Sequence, residues 1–84
     1  MIDLGEIIVH GNAERAVQEC NQTVQEFTDR FRAGDLGDNI DDDLRQFNEA
    51  ALQDGGDVLG VYQLCSGLPL WIVGNGRVTE VFIP

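Results

Sequence analysis

The sequence predicts an α+β fold: an N-terminal strand, three short helices, then a three-stranded antiparallel β-meander packed on the helices. Three observations predict it. Apolar residues recur at helical spacing between residues 13 and 51, β-branched runs dominate residues 58–84, and Asn75-Gly76 is the strongest two-residue hairpin signal in the chain. With 84 residues the chain has room for one domain, 1–84, which buries only about 60–65% of the surface its unfolded form exposes.

Leu4 to His10 is rich in β-branched residues and is bounded by Gly11-Asn12, which predicts a strand. Asn12 is placed to cap a helix carrying Ala13, Ala16, Val17 and Cys20 on one face. Thr23 and Glu26 form a capping box at a fresh start; Val24, Phe27 and Phe31 then make one apolar stripe, and Gly34 ends the helix in a left-handed conformation. Five Asp crowd residues 35–43. Asp41 is the expected cap of a third helix, with Asp42 and Asp43 at the positive end of its dipole, Leu44, Phe47 and Ala51 on its inner face, and Gly55-Gly56 as its stop.

The meander follows as Val58–Leu64, Leu70–Gly74 and Arg77–Ile83, with a turn at 65–69. A two-residue turn at Asn75-Gly76 sets Gly74 opposite Arg77 and Ile72 opposite Thr79, which sorts the side chains by face. One face carries Tyr62, Leu64, Leu70, Ile72, Thr79, Val81 and Ile83; the other carries Leu59, Val61, Gln63, Trp71, Val73, Val78, Glu80 and Phe82. Both are substantially apolar. Three short helices cover one face, so Val61, Trp71, Val73 and Phe82 are candidate residues for partner binding or self-association. The competing expectation is that the long loop and the first helix wrap around that second face.

Fifteen acidic residues against five Arg and no Lys give a net charge of −10. Nucleic-acid grooves and anionic membranes require clustered cations, and Arg15, Arg30, Arg32, Arg45 and Arg77 are scattered among acids. The expected partner is instead a protein with a basic surface, or a second copy; Asp35, Asp38, Asp41, Asp42 and Asp43 are the candidate acidic contacts. The Asp run lacks calcium-loop spacing, with Gln46 where a bidentate Glu belongs, so neither a metal nor another cofactor is expected. Cys20 and Cys65 could form one disulfide. Without CxxC spacing or a secretory leader they read as reduced, half-buried residues of a cytoplasmic protein.

Phe27, Arg30, Gly34, Asp35 and Gly37, then Asn48, Ala51 and Leu52, then Tyr62, Leu64, Gly67 and Trp71, and finally Arg77, Val81 and Pro84 follow a recurring pattern. In it the chain resembles the small uncharacterised proteins borne on plasmids and phages that are labelled "plasmid-related protein" or restriction-endonuclease subunit. The resemblance implies a mobile-element setting and no established activity. Two positions depart from the pattern: Phe31 stands where the family has His, and Leu36 where it has Trp.

The expected function is therefore that of an acidic accessory protein acting by protein–protein binding, including inhibition of a host or defence nucleic-acid-handling protein. One alternative is a small or degenerate RNase-like enzyme using His10 and Arg77. Another is a homo-oligomeric accessory protein.

Overall fold

A computed structural model describes residues 2–38 and 40–84. The elements run β1 (Glu6–Val9), α1 (Gly11–Glu19), α2 (Val24–Arg32), α3 (Asp42–Asp54), β2 (Val58–Gln63), β3 (Pro69–Gly74) and β4 (Val78–Phe82). Strands β2, β3 and β4 form the expected antiparallel meander. The sheet, however, has four strands in the order β1-β4-β3-β2, with β1 parallel to β4. The expectation of a three-stranded sheet is corrected for a plain reason: the last strand of a meander has an unpaired edge, and Ile7-Ile8-Val9 fills it.

The hairpin register also moves. Gly74 pairs with Thr79 and Ile72 with Val81, two residues further along β4 than a two-residue Asn75-Gly76 turn would give. The loop is organised by the Asn75 side chain, whose Oδ1 accepts hydrogen bonds from the backbone N–H of Arg77 and Val78. This Asx-type turn moves the bend onto Gly76-Arg77. A slip of two positions keeps every side chain on its expected face, because sheet faces alternate with period two.

The buried face is therefore as expected. Tyr62, Leu70, Ile72, Thr79 and Val81 are fully buried and Leu64 nearly so, packed beneath Ala13, Ala16 and Val17 of α1 and Phe27 and Phe31 of α2. Phe31 lies over Gly60 and Gly74, where an added Cβ would press on its ring, so two side-chain-free positions make the seat for one aromatic. Ile2 and Leu4 close the core, and Thr79 Oγ1 donates to the Leu4 carbonyl at 2.7 Å.

Helix ends follow the sequence signals in part. Thr23 Oγ1 accepts from Glu26 N, and α2 ends on left-handed Gly34 with Gly34 N donating to Phe31 O and Asp35 N to Arg30 O, a Schellman pair. Asn12 does not cap α1, since His10 holds that position. The Asn12 amide instead reaches the end of the sheet, donating to Ile83 O at 3.1 Å. On α3 the inward residues are Asn48 and Ala51, while Phe47 is 54% exposed, which corrects its expected place in the core.

Asn48 explains that rotation. Its amide donates to Leu59 O and its carbonyl accepts from Leu59 N, both at 2.9 Å, so the side chain acts as a one-residue extension of the sheet beside β2. Cys20 and Cys65 are joined in a disulfide, correcting the expectation of two reduced thiols; it ties the end of α1 to the β2–β3 turn. The pairing was not legible from spacing because the two residues stand 45 positions apart on different elements.

Two measurements check this fold. Asn48→Ala strands both Leu59 backbone groups at a nearly closed site and is expected to lower the unfolding free energy by about 2–3 kcal/mol in urea titration. Reducing Cys20–Cys65 frees a loop of 45 positions, for which chain entropy gives a loss of about 4 kcal/mol, read as a lower denaturation midpoint. An unchanged midpoint in either experiment contradicts the role assigned here.

Candidate functional site

The face of the sheet opposite the helices carries the predicted apolar residues. Val61 of β2 pairs with Trp71 of β3, which pairs with Phe82 of β4, so the three form one row across the sheet. Each is half-buried, as is Val73 in the neighbouring row, where it faces Leu59 on one side and Glu80 on the other. Trp71 and Phe82 meet at 6.0 Å between ring centroids, a tilted aromatic pair. His10, just past β1, extends the row: its ring stands 5.7 Å from that of Phe82 and its Nε2 3.8 Å from the Glu80 carboxylate. None of these side chains is sealed off from solvent. The competing expectation of a wrap is not met: α1 packs Ala13, Ala16 and Val17 into the core on the opposite face, and residues 36–38 meet the row at its Val61 end.

The acidic loop meets this row at β2. Val61 N donates to Leu36 O and Asp38 N to Val61 O, so residues 36–38 run as a short parallel bridge along the strand. Gly37 makes the approach feasible. It has φ of 129°, and a Cβ there would collide with the Val61 carbonyl.

Arg30 holds the loop in place. Its Nε donates to Asp35 Oδ2 at 2.7 Å and its Nη2 to Asp38 Oδ1 at 2.8 Å, while the guanidinium lies 4.8 Å from the centre of the Tyr62 ring. The Tyr62 hydroxyl donates to Asp35 O at 2.7 Å, and Asp38 Oδ2 accepts from Gln63 N at 3.0 Å. The hydrogen bonds from Arg30 hold both carboxyls below the usual aspartate range, and they push the guanidinium further up. Burial raises the Tyr62 phenol, with the nearby Asp35 charge adding to the effect.

The five predicted acidic residues thus fall into different circumstances. Asp35 and Asp38 are committed to Arg30 and to backbone N–H groups. Asp41 caps α3, accepting from Leu44 N at 2.8 Å. Asp42 and Asp43 are exposed in the first turn; the Asp42 side chain is 90% open, with Arg45 Nη1 3.7 Å away. No three His, Cys, Asp or Glu side chains converge into a metal-holding group among the described residues, and Asn39 of the Asp run lies outside them.

His10 and Arg77, the pair an RNase-like mechanism would use, are not brought together. Glu6 N bonds Arg77 O at one end of β1 and His10 N bonds Val81 O at the other. At about 3.3 Å per residue this separates the two positions by about 13 Å along the strand.

Sequence reasoning missed Arg30, Tyr62 and Asn48 as one locking group. A partial signal existed: Arg30 and Asp35 flank the left-handed Gly34, which turns the chain back on itself. No known protein family, curated protein or solved structure matches this chain.

The Arg30 clamp predicts an acid-sensitive stability. Because Asp35 and Asp38 titrate below their unfolded values, the contribution is complete above the unfolded aspartate range near pH 4 and is lost as pH falls through the folded values. Urea midpoints between about pH 2 and 6 should fall toward acid in the wild type, and the slope should flatten in Arg30→Gln. Equal slopes in the two proteins would contradict the clamp.

Proposed function

We propose that this chain is a small acidic binding protein of a mobile element, docking its outer sheet face and acidic border onto a basic surface of a nucleic-acid-handling protein and blocking it. One observation carries the reading: the apolar row Val61, Trp71 and Phe82 stays open and runs directly into the acidic loop at Val61. An apolar centre with a charged rim is the anatomy of a docking patch, in which aromatics supply affinity and charge supplies approach. With a net charge of −10, long-range steering selects a cationic partner.

The apolar row and the acidic residues divide the work. Trp71 and Phe82 anchor. Asp42 and Asp43, which have solvent-facing carboxylates, supply attraction, while Asp35 and Asp38 mainly shape the border because Arg30 offsets their charge. Imitation of nucleic-acid charge follows from the same distribution, and the sequence resemblance to plasmid- and phage-borne proteins supports an anti-defence setting. An RNase-like reading needs His10 and Arg77 within reach of one phosphate, and the length of β1 stands between them.

The test is capture of a basic, nucleic-acid-binding protein from the native host, followed by binding measurements on the purified pair. Trp71→Asp should weaken binding at least about 30-fold, as expected of a central anchor. The double change Asp42→Asn with Asp43→Asn should slow association several-fold and flatten the salt dependence between about 50 and 500 mM. Added DNA should compete. A partner indifferent to salt, to DNA and to both sets of changes would overturn the reading.

A further inference from the structure

The two margins of the sheet are treated differently. Along β2 the outward backbone groups of Leu59 and Val61 are taken up by Asn48 and by residues 36–38. Along β1 all four residues are exposed, with Ile7 42%, Ile8 40% and Val9 37% open, although three of them are β-branched and apolar. Glu6 N and His10 N donate toward β4, so the alternation of a strand turns the N–H and C=O of Ile7 and Val9 away from the sheet.

We propose that β1 pairs antiparallel with β1 of a second copy about a twofold axis at Ile8, joining the two sheets into one continuous sheet. The register follows from which groups are unpaired. Residues that exchange both backbone hydrogen bonds must each point at the partner strand, so the bonded pairs are drawn from Ile7 and Val9. Centring on Ile8 sets Ile7 against Val9 of the second copy, and Val9 against its Ile7. Centring on Ile7 would draw in Gly5, whose φ of 61° is not extended, and centring on Val9 would draw in Gly11, the first residue of α1. Only one symmetric register keeps both bonded pairs within the strands.

That register is also complementary in charge. Glu6 lies opposite His10 of the second copy, and this contact occurs twice, placing a carboxylate against an imidazole donor on the outer face. Ile8 meets its own equivalent on the same face. On the inner face Ile7 borders a groove of about 430 Å³ with Ile2, Leu4 and Arg32, and another of about 340 Å³ with Val24, Thr28 and Arg32. The Val9 side chain of the second copy would stand beside them. Arg32 here stands with Asp3 and Asp29, and Arg77 lies beside Glu6 at the start of β1. This margin is therefore far less acidic than a chain of charge −10 is as a whole, which eases the approach of a second copy.

Sedimentation velocity from about 5 to 500 µM tests this, with a species of twice the 9.2 kDa chain mass growing with concentration. Val9→Pro removes an outward donor without touching the β4 pairing, and should weaken the dimer at least about tenfold while leaving the circular dichroism spectrum in place. Ile8→Lys opposes two cations on the twofold and should have the same effect, which keeps the test intact if the proline variant does not fold. Ile8→Cys should cross-link under mild oxidation, because facing residues of a non-bonded pair are about 4.5 Å apart at Cα. A wild type that stays monomeric throughout, or a dimer that survives Ile8→Lys but dissolves with Trp71→Asp, overturns the proposal. The second result would assign self-association to the outer face instead.

Discussion

A strand at the margin of a sheet presents a row of unsatisfied backbone groups, and a domain of this size has little core with which to offset them. In this protein the β2 margin is closed by side chains and loop from two directions. Asn48 reaches in from α3, residues 36–38 lie alongside Val61, and Arg30 fixes that loop through Asp35 and Asp38. Each closure positions another: the Schellman turn at Gly34 aims Asp35 at Arg30, and the Tyr62 hydroxyl holds the Asp35 carbonyl from beneath. The loop that borders the outer face is thereby a defined edge.

The arrangement gives one physical meaning to residues scattered along the chain. Arg30, Gly34, Asp35, Gly37, Asn48 and Tyr62 gather at this one margin, where each satisfies a backbone group, allows a close approach or holds a partner that does. Exposed ion pairs contribute little on their own. Here the ion pairs matter through what they position, while the nearly closed Asn48 bonds carry the larger energetic stake.

Much of this was legible in the sequence, and the failures share a cause. The two faces of the meander were readable because period-two alternation survives a register slip of two. The capping of α2 and α3 was readable because Thr23, Gly34, Asp41 and Gly55 act within a few residues of themselves. What escaped was non-local. No local signal says that β1 returns to pair with β4, that Asn12 reaches Ile83, or that Cys20 meets Cys65. Phe47 and Asn48 show the same limit: periodicity favours the apolar neighbour, and only the open backbone of β2 makes the polar one the better inward residue. The candidate contact surface divides along this line, its apolar row legible and the pairing of Asp35 and Asp38 with Arg30 not.

The parallel pairing of the first and last strands bears on how the molecule is made. Thr79 grips the Leu4 carbonyl across 75 positions of chain, and nothing nearer in sequence offers β1 its partner. As the chain emerges from a ribosome, α1, α2 and α3 are complete while Ile7, Ile8 and Val9 still wait for β4. Closing so long a loop is entropically slow, so the sheet is finished only after β4 has been made. Until then the apolar run Ile7-Ile8-Val9 stands uncovered, a window in which encounters between neighbouring chains on one message would be decided.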